Sequence, residues 1–68
     1  MYVLKEETKE ILKNYKYKAV AQAIGINAYK LSDMINKNDT CMKQTAYCLT
    51  KFLDSDKEID DFFLRKES

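Results

Sequence analysis

An all-α fold built from five short helices is predicted by three observations. Apolar residues recur at three- and four-residue spacing along most of the chain, the period that lines one face of a helix. No long stretch alternates apolar and polar residues as a half-buried strand would. The periodic runs are separated by short polar clusters, with no proline and a single glycine, Gly25. The 68 residues suffice for one domain, expected to span 1–68, with a modest core.

The first helix is expected over about residues 4–14, where Leu4, Thr8, Ile11, Leu12 and Tyr15 form one stripe. Its polar side carries as many acids as bases, so the stripe is a core face rather than a membrane anchor. Residues 14–17 are a connector with Tyr15 turned inward. The second helix, about 18–24, stops at Gly25, because a helix end often needs a residue with positive φ. Asn27 then caps the third helix, about 28–36, by accepting from a free backbone N–H. Ala21 lies four residues before Gly25 and removes bulk, so the two helices cross closely with Ile24, Ile26, Leu31 and Met34 in the angle between them.

Lys37-Asn38-Asp39-Thr40 is a polar turn. The fourth helix follows at about 42–53, capped by Thr40 or Cys41, with Ala46, Leu49, Phe52 and Leu53 on one face and Cys48 beside it. Ser55 and Glu58 have the spacing of a capping box, which opens a fifth helix at about 56–65. Ile59, Phe62 and Phe63 pack that helix on the core and leave Leu64 over.

Several function classes are excluded by composition. There is no histidine, no glycine-rich phosphate loop and no nucleophile beside an evident base, so no enzyme and no cofactor are expected. The carboxylates Asp54, Asp56, Glu58, Asp60 and Asp61 read as a charged helix end. Cys41 and Cys48 lack a paired metal motif, and no metal is expected. Helical rise sets them about 10 Å apart, too far for a disulfide. Reduced thiols, no membrane-spanning run and no signal-peptide form lead us to expect a soluble cytoplasmic protein. Net charge is only +1, but residues 13–43 carry +4 while residues 1–12 and 44–68 are acidic. Such an asymmetry suits a face offered to a polyanion; an ordinary solvated lysine surface is the plainer explanation.

Ala21, Gly25, Ile26, Leu31 and Met34 together resemble the helix-turn-helix of the phage repressor and Cro family, over roughly residues 4–64. That family has a small residue in the first motif helix, glycine four later, and apolar residues six and nine beyond it. Tyr17 stands where the family commonly has glutamine. The resemblance implies a compact five-helix repressor/Cro-like domain with the motif as helices 2 and 3. It also implies double-stranded DNA as partner, read by the third helix in the major groove.

With Leu31, Met34 and Ile35 facing the core, the helical period leaves Asn27, Ala28, Tyr29, Ser32, Asp33 and Asn36 outward. The first five of these are the base-contact candidates by analogy. Asp33 has a second reading as a surface ion pair with Lys37, four residues on. Phosphate-contact candidates are Lys16, Tyr17, Lys18, Gln22, Lys30, Asn36, Lys37 and Lys43. Asn36 takes the family's last motif position and can equally cap the third helix. Lys43 falls in the first turn of the fourth helix, where a lysine opposes the helix dipole and so hints at an external anion.

Phe63 and Leu64 are the dimer-interface candidates, since readers of this type commonly bind paired half-sites as homodimers. The expected function is therefore a small transcriptional regulator that occupies a short palindromic operator. The rival is a protein-binding module on the same fold, such as an antirepressor, an antitoxin-like partner or an inhibitor of a host defence nuclease, because fold does not fix function.

Overall fold

The two ends of the chain meet in a small antiparallel sheet, and five helices are strung between them. The computed structural model describes residues 1–66. In order they form β1 (Tyr2–Leu4), α1 (Glu6–Leu12), α2 (Tyr17–Ile24), α3 (Ala28–Asn36), α4 (Lys43–Leu53), α5 (Ile59–Phe62) and β2 (Phe63–Arg65). Among the described residues no helix is long and apolar enough to cross a membrane.

The sheet corrects the all-helical expectation. Tyr2 pairs with Arg65, Val3 with Leu64 and Leu4 with Phe63. Tyr2 also bridges to Cys41 on its other side. Each strand is three residues long, too short to display alternation, and each is stable only against a partner at the far end of the chain. Leu4 and Phe63 are the pair turned inward, 2% and 1% exposed. The strands shorten the helices beside them. α1 begins at Glu6 rather than residue 4, and the last helix is a single turn, 59–62, rather than 56–65. The Phe62 carbonyl ties the two ends together: it accepts from the Lys5 N–H at 3.1 Å and from the buried Thr8 hydroxyl at 2.8 Å.

The capping box lies three residues later than expected. Glu58 is the cap, and its N–H donates to the Asp61 carboxylate at 2.8 Å. Ser55 sits instead in a turn organised by Asp54, whose carboxylate accepts from the Asp56 N–H at 3.0 Å. Met42, not Thr40 or Cys41, precedes α4 and supplies no side-chain cap. Cys41 is spent on the bridge to Tyr2 and is buried.

The core takes residues from every helix but α5: Leu12 from α1, Val20 and Ala21 from α2, Leu31, Met34 and Ile35 from α3, and Ala46 and Leu49 from α4. Leu4, Cys41 and Phe63 close it from the sheet side. Burial of this apolar surface is the main force holding so short a chain together. Tyr15 and Phe52, both expected inward, remain on the surface. Each is 42% exposed, and their rings pack edge to face with centroids 5.9 Å apart. Ile11 is 40% exposed beside the stripe it was expected to join.

Candidate functional site

The α2–α3 corner is built as the residues dictate. Gly25 adopts φ 78°, ψ 31°, the left-handed conformation that costs a side chain 1–2 kcal/mol or so and glycine almost nothing. The Ala21 carbonyl accepts from both the Gly25 N–H and, at 2.9 Å, the Ile26 N–H, which closes the end of α2. Asn27 is extended, and its Oδ1 accepts from the Tyr29 N–H at 2.7 Å, opening α3 two residues after the glycine. Ala21 is 1% exposed at the crossing, where a larger side chain would hold the helices apart. Ile24 and Ile26 pack half-buried against the core on either side of the turn.

α3 then presents two unlike faces. Leu31, Met34 and Ile35 point into the core. Tyr29, one turn earlier, is 82% exposed, the most exposed large apolar side chain among the described residues. Ser32 and Asp33 are half-buried beside it. Ala28, expected on the outer face, packs against the core edge. The Asn27 side chain is occupied by its cap, and the Asn36 amide donates to the Ser32 hydroxyl at 3.2 Å. Asp33 lies 3.6 Å from the Lys37 ammonium, the i,i+4 ion pair that was its second reading, worth a few tenths of a kcal/mol or so at the surface.

Lys30 is not a free phosphate ligand. Its Nζ lies 2.9 Å from the Asp39 carboxylate and donates to the Thr40 carbonyl at 2.7 Å, so it staples α3 to the loop before α4. Asp39 in turn accepts from the Thr40 N–H at 2.9 Å. The Lys30 hydrogen bond is the main reason the Asp39 carboxyl titrates below its ordinary value of 3.8. The stabilisation is therefore complete above that value and is lost as acid protonates the folded form. Asp39→Asn is expected to flatten this acid limb. Unfolding followed by circular dichroism across the acid range should show wild type and variant converging at the lowest pH, with the gap opening as pH rises toward the ordinary carboxylate value and constant above it.

The remaining cations divide by position. Lys16 is the residue before α2, Lys18 lies in its first turn, and Lys43 is the first residue of α4; all three are exposed, and none forms an ion pair among the described residues. Gln22 is exposed on α2, whereas Tyr17 is half-buried against the core. The first turns of α2, α3 and α4 contain no acidic residue, while those of α1 and α5 contain Glu6 and Glu7, and Asp60 and Asp61. Acids normally collect at helix N-termini because free N–H groups and the dipole favour them. Three consecutive helices here leave that positive end uncompensated.

Two residues of the region were not foreseen. Lys9 is 6% exposed, and its ammonium donates to Glu6 at 3.0 Å and to the Asn38 side chain. Asn38 has φ 54°, a left-handed turn residue between α3 and α4. The signals were present: Lys9 lies three residues before Leu12 on the buried stripe, and asparagine is the residue that best tolerates this conformation after glycine. Both cysteines are free thiols, and burial pushes that of Cys41 up to about 11. Phe63, half of the expected dimer surface, is 1% exposed and belongs to the chain's own core; Leu64 is 55% exposed. Among the described residues no cluster of histidine, cysteine or carboxylate side chains could hold a metal ion. Comparison with protein-family models, curated proteins and solved structures finds no match to this chain.

Proposed function

We propose that this chain is a DNA-binding transcriptional regulator of phage repressor and Cro type. The outer face of α3 lies in the major groove, while Lys16, Lys18 and Lys43 hold backbone phosphates at the first turns of α2 and α4. The observation that carries this reading is the run of three acid-free helix starts, two of them flanked by lysines that form no ion pair among the described residues. A helix with its side chains is about 10–12 Å across and the groove about 12 Å wide, so α3 has the right gauge. Tyr29 reaches furthest from its outer face, with Ser32 and Asp33 behind it. Operator occupancy by a two-fold dimer would block polymerase or a competing regulator.

Selection of bound duplexes from a random pool tests the proposal. The expected result is a two-fold motif with half-site centres about 34 Å apart, one turn of DNA. Recovery of no enriched sequence would overturn it. Tyr29→Ala is expected to weaken binding to the selected duplex by about 1–3 kcal/mol while leaving the protein's melting temperature within about 4 °C, since the side chain is almost wholly in solvent. Lys30 and Lys37 are engaged by Asp39 and Asp33, which lowers the positive charge along α3 and favours the rival reading of a protein-binding face. A folded protein that binds no duplex at low salt would select that rival.

A further inference from the structure

From Ile11 to Leu53 the chain carries seven lysines and only two acids, Asp33 and Asp39, and the fold sets both acids against lysines at one end of α3. The Lys37 and Asp39 N–H groups both donate to the Asp33 carbonyl, at 2.8 and 3.2 Å, so the chain leaving α3 turns back on its last turn. Asp39 then lies 2.9 Å from the Lys30 ammonium, and Asp33 lies 3.6 Å from that of Lys37. The two pairs share one field. Asp39 titrates low chiefly through its Lys30 hydrogen bond, and the charge of Lys37 adds to the lowering. Both pairs are open to solvent: the Lys30 and Asp39 side chains are 39% and 43% exposed, those of Lys37 and Asp33 76% and 44%. A phosphate can therefore reach either lysine, and an exposed ion pair contributes little to stability.

We infer that Asp33 and Asp39 stand in for DNA phosphates on the two lysines of α3 and its C-terminal cap, and so hold down the affinity of the chain for duplex. The inference rests on the regulator reading and says how that site is limited. A lysine gains affinity by neutralising a phosphate and releasing its counter-ions. Lys30 and Lys37 are already neutralised, so a phosphate arriving beside either one gains little and meets a carboxylate. That penalty falls on the backbone contact, which every sequence offers alike. The two acids therefore lower affinity uniformly across sequences and read no base. The free chain keeps its positive charge at Lys16, Lys18 and Lys43, at the starts of α2 and α4.

Affinity of the full chain for the selected duplex and for a random-sequence duplex, each over a salt series, tests this with Asp33→Asn, Asp39→Asn and the double variant. Asparagine at residue 39 keeps an oxygen that can accept from the Thr40 N–H, and circular dichroism checks that each variant is folded. Each single variant should bind both duplexes about tenfold more tightly at low salt. The double variant's plot of log affinity against log salt should steepen by about three to four units, for two freed lysines in each copy of a dimer. Adding Lys30→Met to Asp39→Asn should cancel the gain, since no ammonium is then released. Asp60→Asn removes the same charge from an exposed site in the first turn of α5 and should leave both affinities within about twofold. Unchanged affinity in the double variant would overturn the inference and leave the regulator proposal standing. An equal gain from Asp60→Asn, or a gain that survives Lys30→Met, would do the same. So would a selected motif altered by Asp33→Asn, which would make Asp33 a base reader. Folded wild type and variants that all bind no duplex would overturn both.

Discussion

Leu31→Ala is expected to remove about 2–5 kcal/mol of stability. Leu31 is wholly buried where α3 crosses α2, so truncation forfeits its burial and leaves a cavity between two helices that Gly25 and Ala21 already hold close. A chain of this length has only about 3–10 kcal/mol to lose. The variant should therefore melt roughly 10–30 °C lower, or be largely unfolded at physiological temperature. Urea unfolding followed by circular dichroism measures the loss. A cost below about 1 kcal/mol would mean that α3 does not dock as described. Leu31→Met, which keeps the volume, should recover most of the difference.

Lys43→Glu is expected to move stability and binding in opposite directions. Lys43 begins α4, a helix with no side-chain cap and no acid in its first turn. A glutamate there complements the dipole and should stabilise the fold by about 0.3–1 kcal/mol. In the proposed complex the same change replaces a phosphate contact by a repulsion. With both copies of the dimer changed, duplex affinity should fall about tenfold or more, and the salt dependence should lose roughly two units of slope. A melting curve and a binding isotherm on one preparation separate the two effects. Unchanged affinity would show that α4 does not approach the DNA backbone.

What could be read from the sequence, and what could not, follows from how local each determinant is. α3 falls at residues 28–36 as expected because its boundaries are set within a few residues: the Gly25 conformation, the Asn27 cap, and the spacing of Leu31, Met34 and Ile35. The sheet was illegible because Leu4 and Phe63 specify it jointly from opposite ends of the chain, and either tripeptide alone passes as the end of an amphipathic helix. Missing the sheet carried the first and last helices too far. It also left Phe63, expected to pack on the core, among the dimer-interface candidates, when pairing with Leu4 turns it wholly inward.

The candidate site divides in the same way. Tyr29 was placed correctly on the outer face, since helical period alone decides it. The engagement of Lys30 could not be read because its partner, Asp39, lies nine residues on, across a turn that contains the left-handed Asn38. Ala28, on the first turn beside the core, shows how little separates an outward from an inward position at a helix start.

The proposed function requires α3 and its flanking helix starts to meet a polyanion. A salt titration of binding to the selected duplex tests this most directly. Three lysines per copy, 16, 18 and 43, acting in a dimer predict a straight line of log affinity against log salt with a slope of about −5. A slope near zero, or no binding at the lowest salt by protein whose circular dichroism is that of the folded chain, would contradict it.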